Sequence, residues 1–193
     1  MEFSAFLPAF PDDTLRTRLW ELFQAAEPEA QRFALAGKWV TITSVSAGPV
    51  NSWSSGQITL NPRPDELGAI FHEVFRSAFQ RCRFHDGSSD ERWGGAFCDA
   101  FRYFMERQFG LAPTSPWFAR IDGLCGKTLE KVSAQSQGPD STHDRKCSYP
   151  ASLIITRAGK DYSRFRAIWF DLQEQRMQAN QPLLNWKFGY TLD

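Results

Sequence analysis

The chain has no charge of one sign to spare: its 193 residues carry 22 Lys and Arg against 22 Asp and Glu, for a pI of about 6.8. Without such an excess there is no general electrostatic pull toward nucleic acid or anionic lipid, so partners must be recognised locally. No apolar run approaches the roughly 18 residues of a membrane span. The first residues, Met1-Glu2-Phe3-Ser4-Ala5, lack the basic start of a signal peptide. The chain as written is therefore expected to be cytoplasmic, or secreted if a leader has been removed. The four cysteines, Cys82, Cys98, Cys125 and Cys147, contain no Cys-x-x-Cys, which argues against a structural zinc knuckle and leaves two disulfides or free thiols open. There is no Gly-x-Ser-x-Gly, no phosphate loop and no dinucleotide fingerprint, so triad hydrolases, kinase-like enzymes and nucleotide-dependent dehydrogenases have no support. No internal repeat is visible.

What the chain does have is apolar and aromatic mass, 42% and 15% of its residues, enough for one well-packed core and hardly enough for two. A single domain over residues 1–193 is expected. Leu15, Leu19, Leu22 and Phe23 recur at helical spacing after Asp12 and Asp13, which can cap a helix reaching about Ala26. Two strands follow, at residues 38–45 and 56–60, joined by a Gly/Pro/Ser/Asn-rich connection. Asn61-Pro62-Arg63-Pro64-Asp65 then stops the second strand and opens a helix whose apolar face is Leu67, Ile70, Phe71, Val74, Ala78 and Cys82. A further helix runs from about Arg92 to Phe109, with Phe97, Phe101 and Phe104 on one face and Gly110 ending it. Residues 123–148 read as a loop, Ser152-Leu153-Ile154-Ile155-Thr156 as a strand, and 163–178 as a last helix.

The second of these helices carries a chemical pattern. Residues 68–76 read Gly-Ala-Ile-Phe-His-Glu-Val-Phe-Arg, and on a helix His72 and Arg76 stand one turn apart on one face. This resembles the His-Glu-x-x-His helix of zincin-type zinc metallopeptidases, with the last ligand replaced by Arg76. The order helix, strand, edge strand ending Ile58-Thr59-Leu60-Asn61-Pro62, then motif helix looks like the core of such enzymes. A second segment, Trp93-Gly94-Gly95-Ala96-Phe97-Cys98-Asp99-Ala100-Phe101-Arg102, is similar to the Gly-Gly-x-x-Glu-Gly-x-Ala-Asp-Tyr-x-Arg segment of plant basic secretory protein-like peptidases. That family's aspartate falls on Asp99 and its glutamate on Gly95, where it is absent. The resemblance covers residues 38–109. It implies an α+β, zincin-like single domain: a small mixed sheet with an edge strand packed on the motif-bearing helix. It also implies His72 as a zinc ligand, Glu73 as general base and Asp99 as third ligand.

Arg76 alters that chemistry, because a guanidinium stays protonated and offers donors only. A zinc site would need another donor, for which His85 and His143 are the candidates. In a metal-free site Arg76 could pair with Asp99 in the space of the metal. The leading expectation is a pseudoenzyme: metallopeptidase-like, with a degenerate zinc site, binding a peptide along the edge strand or a small apolar ligand near Trp39, Trp53, Trp93 and Trp117. Two alternatives stay open. One is an active metal-dependent hydrolase using His72, Asp99 and a further ligand such as His85, with Glu73 as base. The other is a metal-free enzyme in which Glu73 moves a proton and Arg76 steadies developing negative charge. Against each stands a plainer reading, in which Glu73 is a solvated helix residue and Asp99, Arg102 and Glu106 are a charged outer helix face. Arg157, Lys160, Arg164 and Arg166 form a basic patch before the last helix.

Overall fold

The computed structural model describes residues 1–34, 39–79, 90–127 and 148–179. Among these it is α+β: α1 Asp13–Gln31, β1 Ser44–Ala47, β2 Ser52–Ser54, β3 Gln57–Leu60, α2 Ala69–Phe79, α3 Asp90–Gln108, α4 Pro116–Leu124, α5 Tyr149–Arg157 and α6 Tyr162–Ala179. The chain divides into two compact units, residues 1–82 with 105–117, and 83–104 with 118–193. No helix among the described residues is long and apolar enough to cross a membrane.

In the first unit α1 starts where the Asp12 side chain accepts from the Leu15 N–H at 2.9 Å, satisfying one of the orphan donors of a first turn. Its buried stripe is Leu19, Leu22, Phe23, Ala26 and Ala30. The helix continues five residues past the expected end, through Pro28. Burial of Ala30 and Phe33 accounts for this, the latter with its ring 5.1 Å from Phe75 of α2. Upstream, Phe6 and Phe23 pack at 5.5 Å and Trp20 stacks on Phe23 at 5.6 Å. Arg16 holds this end by donating to the carbonyl of Phe6 at 2.7 Å.

The sheet has the order β1-β3-β2, with β1 parallel and β2 antiparallel to β3. Val45, Trp53, Ile58 and Leu60 are its buried residues, as alternation across a half-buried sheet requires. The β2–β3 hairpin turns through Ser55 and Gly56 at φ of 49° and 85°. Two positive φ values in a two-residue loop mark the turn whose twist matches the strands. A Cβ at Gly56 would also lie 2.2 Å from the carbonyl oxygen of Thr41.

Two strand expectations need correcting here. Of the first expected strand, Lys38 lies outside the described residues and residues 39–43 are not strand, the Val40 N–H being spent on the Ser77 carbonyl at 3.0 Å and the Thr43 N–H on Gly56 at 2.8 Å, so that β1 begins at Ser44. And β3, expected to be the edge strand, is the central one, paired with β1 over Gln57–Leu60 and with β2 over Gln57–Thr59. The edge strand that packs on α2 is β2, whose Trp53 indole donates to the Ser77 hydroxyl at 2.8 Å.

The motif helix α2 buries Ala69, Ile70, Phe71, Val74, Phe75 and Ala78. Part of its expected face, Cys82, lies outside the described residues. The C-terminal end of α3 closes at Gly110, φ 70°. There the Gly110 N–H donates to Arg107 at 3.3 Å and the Leu111 N–H to Glu106 at 2.8 Å, the paired bonds of a glycine-terminated helix.

The second unit is helical among its described residues. Phe97, Phe101 and Phe104 of α3 are buried as expected; Phe97 meets Trp169 edge-on at 4.9 Å, and Phe104 stacks on Phe165 at 5.0 Å. The expected strand at residues 152–156 is part of α5. Its buried residues are Tyr149, Ala151, Ser152, Ile154 and Ile155, and with the buried Ala158 just beyond its end they make a helical face that the short apolar run conceals. Pro150 stands in the first turn, where its missing N–H costs nothing. Gly159, φ 61°, ends the helix. The last helix, α6, matches expectation to within a residue at each end. Its first turn is capped by Asp161, which accepts from the Arg164 N–H at 2.8 Å. In the expected loop of 123–148, Gly123 and Leu124 complete α4, and residues 128–147 lie outside the described residues.

Candidate functional site

The candidate residues of the first unit are all on α2. His72 is half-buried and Glu73 is 4% exposed, while Ala69, Ile70, Phe71, Val74 and Phe75 around them are core. Glu73 is thus no solvated helix residue. Arg76 has 40% of its side chain exposed, and the ion pair it makes is with Glu73, Nη1 to Oε2 at 3.7 Å. That separation lies beyond a hydrogen bond. The Glu73 Oε2 is buried and has no hydrogen-bond partner among the described residues, a condition that costs free energy wherever it persists.

The partner suggested for Arg76 from sequence, Asp99, belongs to α3 in the second unit. Asp99 is 2% exposed, Arg102 6% and Glu106 0%, so the reading of these three as a charged outer face is overturned. Spacing by three and four puts them on one stripe of α3, and it is a buried stripe. His85 and His143 lie outside the described residues.

Glu106, a residue of the first unit, approaches the start of α2 closely. A Cβ built on Gly68 would fall 1.8 Å from Glu106 Oε1 and 2.4 Å from its Cδ. The absent side chain at 68 is therefore the space in which a fully buried carboxylate sits. Gly68 also accepts from the Phe71 N–H at 3.1 Å, so it belongs to the opening turn, where negative charge is favoured by the helix dipole. Sequence reasoning passed over this pair; the one available signal was a glycine directly before a strongly apolar helix.

α2 by itself supplies a single imidazole, His72, to a zinc ion. The residue one turn after His72 is a permanent cation with no lone pair to give, engaged with the carboxylate that would serve as base. No group of three or more His, Cys, Asp or Glu side chains among the described residues is arranged to hold a metal. The tryptophans expected to line a ligand pocket divide: Trp53 and Trp117 are each 8% exposed, Trp53 being bonded into the core, whereas Trp39 is half-buried. The Trp93 side chain lies outside the description.

A second polar cluster occupies the other unit. Asp122 Oδ1 accepts from the Tyr103 hydroxyl and from the Lys160 ammonium, each at 2.5 Å. Tyr103 stacks on Phe118 at 4.5 Å. Of the basic patch expected around residues 157–166, Lys160 is thus committed to an aspartate. Beside it, burial pushes the Cys125 thiol above its ordinary pKa, against the opposing effects of a Thr156 hydrogen bond and the Lys160 charge. This is the inert direction for a cysteine.

Comparison of the chain with protein-family models, with curated proteins and with solved structures gives no match.

Proposed function

We propose that this is a metallopeptidase-like protein whose zinc site has been retired, and that it binds a peptide or small apolar ligand over α2. The observation that carries the reading is the Glu73–Arg76 pair: a buried carboxylate whose ionic partner is an arginine at the position where the zincin motif requires a second imidazole. His72 and Glu73 keep their motif places, and β2 offers an edge beside the same helix. Because β3 is paired on both sides, an extended peptide would add to β2 rather than to the strand expected from sequence. In an antiparallel hairpin with a two-residue loop, alternate residues turn their backbone groups away from the partner strand. Trp53, between the bonded pairs at Ser52 and Ser54, would present its N–H and C=O to such a peptide.

The test is an unbiased peptide-substrate and peptide-binding assay on the intact chain, with and without chelator. The reading expects bound peptides and no turnover. Chelator-sensitive hydrolysis that vanishes in Glu73→Gln would overturn it in favour of an active metal-dependent hydrolase. Chelator-resistant hydrolysis lost in Glu73→Gln would overturn it in favour of a metal-free enzyme.

A further inference from the structure

We infer that the Glu73 carboxylate forms the floor of a cation subsite, and that Arg76 is its occupant in the free protein. Glu73 is 4% exposed, and its Oε2 lacks a hydrogen bond among the described residues. Arg76 answers the charge but not the hydrogen bond, since its Nη1 stands 3.7 Å away. With 40% of its side chain exposed and no other ion pair among the described residues, Arg76 can swing into solvent while burying nothing new.

The sign of the ligand follows from which state is costly. An anion that drew the guanidinium away would leave a buried carboxylate uncompensated, the expensive outcome of breaking such a pair. A cation with N–H donors would replace Arg76 charge for charge and supply the hydrogen bond that Oε2 lacks, in the stronger, charge-assisted form. The ligand class is therefore a protonated amine or guanidine, the chemistry shared by a lysine side chain, an arginine side chain and a peptide's amino terminus. Arg76 acts as an internal competitor for it. This deepens the proposed function and rests on it for the role of the site in ligand binding.

The experiment is chemical rescue of Arg76→Ala, followed by thermal unfolding. The probes are n-butylammonium and ethylguanidinium chlorides, each against sodium chloride at equal ionic strength. At saturating probe the subsite predicts a stabilisation of roughly tenfold, about 3 °C in Tm for a chain of this size. A larger rise with one probe assigns the natural head group as amine or guanidine. The rise should be absent in Arg76→Ala/Glu73→Gln and absent with tetramethylammonium, which has charge but no donor. No rise in Arg76→Ala, or an equal rise in the double variant, overturns the inference. If Arg76→Ala does not fold, the same titration on Arg76→Gln decides. Rescue without any peptide binding would sink the proposed function alone, and peptide binding without rescue would sink the subsite alone.

Discussion

In the second unit Lys160 meets Asp122 at 2.5 Å, with side chains 42% and 40% exposed, whereas in the first Arg76 stands 3.7 Å from Glu73, whose side chain is 6% exposed. The shorter pair has water as an alternative partner for both ions, so its net contribution is small and screened by salt. The longer pair has one member, Glu73, that the core around it holds out of water. Distance therefore ranks these pairs in the wrong order, and burial of the acid ranks them correctly. A buried acid with an imperfect partner costs stability that an apolar residue there would not, which makes the first pair the functional candidate.

The largest effect should come from breaking the buried pair on one side. Arg76→Met is expected to lose about 1–3 kcal/mol in urea unfolding, discounted for the exposure of the arginine, because Glu73 is left uncompensated. Glu73→Gln/Arg76→Met should recover most of that loss, and a double variant as unstable as Arg76→Met would dissolve the comparison. Next, Gly68→Ala should cost about 1–3 kcal/mol by driving a methyl into the Glu106 carboxylate, and an unchanged Tm would show that the carboxylate moves freely. Lys160→Met should cost under about 1 kcal/mol, a loss that disappears in high salt; a salt-independent loss would place this pair in the buried class. The smallest effect concerns Glu27 of α1, whose carboxyl burial raises above the ordinary range, partly offset by the chain's amino terminus. A raised carboxyl means that the folded chain binds the proton more tightly. Stability should therefore decline slightly as pH rises from the ordinary carboxylate range through the raised pKa, a slope that Glu27→Gln should flatten.

Much of the fold could be read because the periodic segments are long. α1, α3 and α6 declare themselves by apolar spacing, by Asp12 at a start and by Gly110 at an end. The errors fall where local pattern is silent. Four of the five residues 152–156 are apolar or β-branched and suit either period, and only the burial of Ala151 and Ala158 on either side marks them as helix. Residues 39–43 have strand composition, yet their backbone donors go to Ser77 and Gly56, partners that no local window contains. The position of β3 is likewise non-local: an edge and a centre strand of four residues have the same alternation. At the site, the motif placed His72, Glu73 and Arg76 on one helix, but burial of Glu73, Asp99 and Glu106 was not legible. Charges at spacing three and four describe a wet face and a buried network equally well.

The most direct measurement is the zinc content of purified parent and Arg76→His by elemental mass spectrometry, with His72→Ala/Arg76→His as control. If Arg76 stands where the zincin motif has its second ligand, His72 and the new imidazole lie one turn apart on one face. Arg76→His should then take up near-stoichiometric zinc that the parent lacks and that the control loses. A parent already loaded through His72, or an Arg76→His variant that binds no more zinc than the parent, would contradict the account.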